Sequence, residues 1–134
     1  MGLMDLAERL AEKINLLDNL PTSIHIGYLT VDNSLQLYPA PGSRTISQDW
    51  SGMQERELNF EIAIRTNDSE LGSKCLWDIS NAIDGLKTLI SKDGSFEFNS
   101  IEMTGLPFIS EQDTEGFSIY SLNFKVNIDQ QTEE

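Results

Sequence analysis

His25 is the only histidine of the chain, set between Ile24 and Ile26 in a β-prone run. Neither a serine in a strand-to-helix elbow nor a cysteine stands near it, so a nucleophile–base pair has no second member. A structural or surface role is expected. Cys75 is the single cysteine, which leaves no internal disulfide and no cysteine-based zinc site without other chains. Pro41-Gly42-Ser43-Arg44 has the small residues of a phosphate loop but lacks the spacing and the Lys-Ser/Thr ending of one. Glu111-Gln112-Asp113-Thr114-Glu115-Gly116 alternates acids ahead of a glycine, as the start of a calcium loop does. The position that should close that loop with a bidentate acid is Leu122, inside a strand pattern, so a solvated acidic loop is expected. Acids are plentiful enough for paired-carboxylate chemistry, yet no spacing singles out a pair. No catalytic residue, cofactor site or metal site is expected.

The acids matter more in sum. Nine Lys and Arg against 22 Asp and Glu give a formal net charge of −13, with the acids scattered along the sequence. Such a field repels phosphate backbones and anionic lipid, so neither a grip on nucleic acid nor a membrane surface is expected. An acidic surface past which nucleic acid slides fits the charge, and so does plain solubility. No apolar run approaches the ~18 residues of a membrane span. Asp5 stands where a signal peptide needs base, and Leu6 breaks a myristoylation pattern. The lone cysteine suits a reducing compartment, and a cytoplasmic origin is expected.

At 134 residues the chain is long enough for one core burying about two-thirds of the unfolded surface. Leu3, Leu6, Ala7, Leu10, Ile14 and Leu17 recur at helical spacing up to Pro21. Ile24 to Val31 and Ser34 to Tyr38 are β-prone and separated by Asp32-Asn33, which predicts a hairpin. Pro39 to Met53 carries two prolines, two glycines and no sustained period, and predicts a long loop, mobile in the isolated chain and ordered on docking. Leu58, Phe60, Ile62 and Ile64 then alternate with polar residues as a half-buried strand does.

Asn67 and Glu70 resemble a capping box opening a second helix, in which Leu71, Cys75, Ile79, Ala82, Ile83, Leu86 and Ile90 share one arc. Lys87 and Lys92 suit its C-terminal end. Phe96 to Met103 reads as a strand with a slip in phase between Phe98 and Ile101, which predicts a bulge. A loop from Gly105 through Glu115 precedes a last strand with Tyr120, Leu122, Phe124, Val126 and Ile128 on one face. The fold class expected is α+β: a two-layer sandwich of a mixed or antiparallel sheet with two helices on one face, in the order α-β-β-β-α-β-β. Residues 1–129 form a single domain in this reading, and 130–134 a disordered tail.

From Pro41 to about Asp129, about two-thirds of the chain, the sequence resembles the tail terminator proteins of long-tailed bacteriophages, a family also labelled minor capsid proteins. The resemblance rests on Pro41-Gly42-Ser43-Arg44, Leu58-Asn59-Phe60-Glu61-Ile62, Leu76-Trp77-Asp78-Ile79 and Glu115-Gly116-Phe117-Ser118-Ile119-Tyr120. It implies a non-enzymatic virion subunit, assembled in the host bacterial cytoplasm. Such a subunit forms a homohexameric ring on the last ring of the tail tube, stops its growth and offers a surface to the head–tail connector. The partners implied are further copies of the chain, the tail tube protein and the connector protein. Another phage neck or adaptor role, an acidic inhibitor mimicking nucleic acid, and a small enzyme without a recognisable motif remain as alternatives. Oligomeric state separates the mimic from the ring, and a bound metal or substrate identifies the enzyme.

Five residues are expected at partner or oligomer interfaces. Ile46, Trp50 and Met53 are apolar anchors in the long loop, and Arg44 is a cation on an otherwise acidic surface. Trp77 projects away from the apolar arc of the second helix, among Lys74, Asn81, Asp84 and Thr88.

Overall fold

The computed structural model describes residues 2–18, 20–27 and 34–131. Helix α1 spans Gly2–Asn15 and buries Leu6, Leu10 and Ile14 completely, the stripe that its spacing sets. Helix α2 spans Ser69–Ile83 and buries Cys75, Leu76, Ile79 and Ile83. Its N-cap is Asp68, whose side chain accepts from Leu71 N at 3.1 Å, so the cap falls one residue after Asn67. The helix also ends earlier than the apolar arc suggests. Gly85 takes φ +75, which turns the chain away, and Leu86 and Leu89 pack on the core from irregular backbone. Lys87 and Lys92 therefore lie beyond the helix.

The sheet is organised around two 14-residue strands, β4 (Met53–Thr66) and β7 (Ser118–Gln131). They pair antiparallel over their whole length, from Met53 opposite Gln131 to Thr66 opposite Ser118. Both alternate, and Leu58, Phe60, Ile62 and Ile64 meet Tyr120, Leu122, Phe124, Val126 and Ile128 on the helix side. Phe60 and Phe124 stack there with centroids 5.7 Å apart. The free edge of β4 is shared by two strands in succession. β2 (Ser34–Pro39) covers its second half and β3 (Arg44–Gln48) its first. The free edge of β7 is shared likewise by β5 (Glu97–Met103) and β6 (Phe108–Gln112). The bulge expected in β5 is present as a register shift between Phe98 and Ser100.

Three expectations need correction. The stretch from Pro39 to Met53 is not an irregular loop: β3 forms a hairpin with β4, which starts at Met53 and not near Leu58. The segment before Tyr120 likewise contains β6 paired to β7. Both β3 and β6 are exposed at every position, so no apolar alternation marks them. Finally, β1 (His25–Ile26) runs parallel to β2, with His25 opposite Gln36 and Ile26 opposite Leu37, and so makes no hairpin with it. Its direction is set by Asn15 at the end of α1, which accepts from Ile24 N at 2.8 Å and donates to Ile24 O at 3.2 Å. The expected Asp32-Asn33 turn and the strand residues 28–31 lie outside the described residues, as do 132–134. Gln130 and Gln131, expected in the tail, pair with Gln54 and Met53.

Candidate functional site

The two hairpins close on the same turn. In Asp49-Trp50-Ser51-Gly52-Met53, Asp49 N donates to Met53 O at 2.9 Å, and the Asp49 carboxylate accepts from Ser51 N and Met53 N, each at 3.0 Å. In Asp113-Thr114-Glu115-Gly116-Phe117, Asp113 N donates to Phe117 O at 2.9 Å, and its carboxylate accepts from Glu115 N at 2.9 Å and Phe117 N at 3.0 Å. Gly52 and Gly116 both take φ +89, open to glycine and strained for other residues. Hydrogen bonds lower the pKa of each aspartate: chiefly the Ser51 hydroxyl and then the Met53 amide for Asp49, and the Phe117 amide for Asp113, whose partner Arg65 adds to the effect. The acid-and-glycine pattern at 111–116 is thus turn chemistry, with Asp113 also paired to Arg65 at 2.7 Å. Among the described residues no group of three or more His, Cys, Asp or Glu is placed to hold a metal ion.

Because β4 and β7 run antiparallel, these turns lie at opposite ends of the sheet. Each hairpin leaves apolar side chains in water, Ile46 and Trp50 on the first and Phe108 and Ile109 on the second, with Leu106 just before it; Leu16, Ile26, Trp77 and Ile90 are exposed elsewhere. Trp50 at the first tip is fully exposed. The structure thus brings Arg44, Ile46, Trp50 and Met53 together on one hairpin, with Met53 half-buried where it closes the turn. Trp77 is apart from them on α2, 40% exposed beside the Lys74–Asp78 ion pair. The second hairpin's apolar residues were missed in the sequence. The signal that points to them is the repeated turn pattern, an aspartate, two residues, a glycine and an apolar residue.

The sheet face turned away from the helices is polar and cross-linked. Tyr38 Oη donates to Glu61 at 2.9 Å, and Asn127 Nδ2 to Glu55 at 2.9 Å. Glu57 sits between Arg44 at 3.3 Å and Lys125 at 3.5 Å, and Lys125 reaches Glu102 at 3.5 Å as well. Partial burial works against the Glu57 charge, but the two cations outweigh it and hold its pKa below the ordinary range. Such a face is built to meet water or another polar surface. His25 is exposed on β1, and Cys75 is buried, its thiol pushed up to about 12 by burial and by Asp78. Neither group has the setting of a nucleophile or its base.

A family model described as bacteriophage tail terminator protein matches residues 13–130. No curated protein matches the chain. Among solved structures, a chain of the "Virion of native gene transfer agent (GTA) particle" is similar, with a TM-score of 0.72 and 12% identity. The similarity covers 96% of this chain and 97% of that one, and at this identity it shows a shared fold.

Proposed function

The chain belongs to the bacteriophage tail terminator family, and from that premise we propose that it is the subunit of a closed hexameric ring that caps the tail tube. Its role is structural and its place is the virion tail. In the proposed action the ring seats on the last ring of tube protein, stops further addition and presents its other side to the head–tail connector. It does this as a non-enzymatic subunit.

One observation carries the reading: the matched segment contains β4, all but the last residue of β7 and both end hairpins, and each hairpin leaves large apolar side chains exposed, Ile46 and Trp50 at one end of the sheet and Phe108 and Ile109 at the other. A subunit with apolar contacts at two opposite ends suits an assembly in which different patches of neighbouring copies meet. The uncovered polar face and the net charge of −13 suit a ring through which DNA passes without being held. Standard interfaces bury ~800 Å² per partner, so each subunit should lose about twice that to two neighbours.

Light scattering of the native protein, alone and with purified tail tubes, tests this. A hexameric mass at high concentration or on tubes is expected, together with arrest of tube growth. A strictly monomeric mass in the presence of tubes sinks the proposal. Shortening the hairpin between Thr45 and Gly52 should leave the circular dichroism spectrum intact and abolish capping.

A further inference from the structure

At the height of the first hairpin the sheet is four strands wide. β3 pairs with Gln54 to Glu57 of β4, those residues pair with Asn127 to Gln130 of β7, and Glu97 to Ser100 of β5 pair with residues 127–129 of β7. β3 and β5 are thus the two edges of this part of the sheet, and among the described residues neither has a strand on its outer side. Every residue of β3 is exposed, as are Glu97, Asn99, Ser100 and Glu102 of β5. A backbone edge left open in this way is a template for another strand. Three antiparallel pairings lie between the two edges, so β3 and β5 run in opposite directions. A copy related by rotation about an axis along the strands keeps those directions, and its β5 meets β3 antiparallel, as the next strand of the same sheet.

Charges cross the polar face of this sheet in alternation. Glu102 on β5 lies 3.5 Å from Lys125 on β7, Lys125 lies 3.5 Å from Glu57 on β4, and Glu57 lies 3.3 Å from Arg44 on β3. The row begins with an acid at one edge and ends with a base at the other. Its inner members are the sheltered ones, Glu57 at 16% and Lys125 at 35% exposure, whereas Glu102 and Arg44 are each 68% exposed. Each outer charge has its ion-pair partner on the inner side and a free strand edge on the outer side. On a chain with 22 acidic and nine basic residues, two edges of opposite sign at one height form a match that a second copy completes.

We infer that β5 of one subunit pairs antiparallel with β3 of the next, so that Arg44 of one copy meets Glu102 of its neighbour and the alternating row runs on from subunit to subunit. Glu102 aligns through Lys125 with Asn59, and Arg44 aligns with Glu57, so the two stand two positions apart along the strands. Lys125 and Glu57 already bridge a diagonal of that size. Main-chain hydrogen bonds hold such a seam and the ion pair sets its register. The two edges are unlike, so the contact is head-to-tail, and closing the ring leaves neither edge open. Both strands carry a bulge, between Thr45 and Ser47 and between Phe98 and Ser100, and bulges supply the bend and twist that a sheet curving from copy to copy needs. This deepens the ring reading and rests on it.

Charge reversal separates the seam from the ring. Arg44→Glu sets two acids at the seam and Glu102→Arg two bases, so each variant alone should self-associate on the order of tenfold more weakly than wild type in light scattering. Mixed in equal amounts they should recover the wild-type mass, because alternating copies restore an opposite pair at every seam. Ser47→Cys and Ser100→Cys, single variants at exposed edge positions, give a reading that alters no charge, and buried Cys75 stays out of the reaction. Where the wild type assembles, a short bismaleimide should join these two when mixed and give no dimer with either alone. Wild-type assembly of both reversed variants, with no cross-link in the cysteine mixture, overturns the seam and leaves the ring intact. Weakened variants that mixing does not rescue place both charges in the subunit's own sheet and also overturn it. Cross-linking of Ser47→Cys to itself overturns it in favour of a symmetric edge contact. A wild-type chain that stays monomeric even with tail tubes overturns both readings.

Discussion

Asp49, Asp93 and Asp113 do one job in three turns: each carboxylate accepts from backbone N–H groups a few residues on, and each has a lowered pKa. For Asp93 the value falls to about 2 from 3.8, with the Ser95 side chain first among the causes and the Ser95 amide next. A depressed folded-state pKa means that the stabilisation is fully present above 3.8 and is lost as pH falls through about 2. The melting temperature of the wild type should therefore exceed that of Asp93→Asn by a constant margin near neutrality. That margin should shrink between about pH 4 and pH 2; a constant margin down to pH 2 refutes the assignment. Trp77 poses a different question at the same scale. It is 40% exposed on a helix whose buried side chains are Cys75, Leu76, Ile79 and Ile83. Trp77→Ala is expected to keep the fold by circular dichroism and to weaken self-assembly or tube binding, with ~2 kcal/mol typical of a tryptophan hot spot. Much earlier melting with unaltered assembly places Trp77 in the subunit's own packing instead.

The edge strands depend on a connection that only glycine permits. Gly42 takes φ +104, and a Cβ there would stand 2.5 Å from Asn59 Nδ2, the group that donates to Pro41 O. Gly116 takes φ +89 with open space around it. Gly116→Ala should thus cost about 1 kcal/mol from backbone strain alone. Gly42→Ala should cost clearly more, because Asn59 must also give up its place; urea unfolding of both variants measures the difference, and equal costs contradict the account. The same elements show how far the sequence could be read. From Leu58 to Ile64, β4 alternates because helices cover one face, and that stretch, the core half of β7 and the apolar stripes of both helices were legible. Met53 to Glu57 is equally regular strand but lies beyond the buried alternation, as do β3 and β6, so their pairing left no periodic trace. Ile90, in phase with α2 yet 81% exposed, made that helix look longer than Gly85 allows. Ile46 and Trp50 could be picked out as apolar residues in a polar stretch.

For the whole molecule the dominant quantity is the formal charge of −13, which makes copies repel one another before any contact forms. Salt screens that repulsion over a distance of about 10 Å at 0.1 M and about 3 Å at 1 M. Self-association should therefore strengthen as salt rises from low to moderate concentration, read by light scattering. A steady fall in mass with salt would mean that ion pairs between subunits dominate the contact. The full-length pairing of β4 with β7 adds a property of another kind. The turn at Asp49 to Met53 feeds the start of β4 and the turn at Asp113 to Phe117 the start of β7, at opposite ends of one antiparallel ladder. Tension between partners holding those two turns runs along the strands, as in a lap joint, and shears every cross-strand hydrogen bond at once instead of peeling them one by one. A link of this geometry gives way only when the whole ladder ruptures, so its lifetime under load is set by an unfolding rate and not by the strength of any single bond.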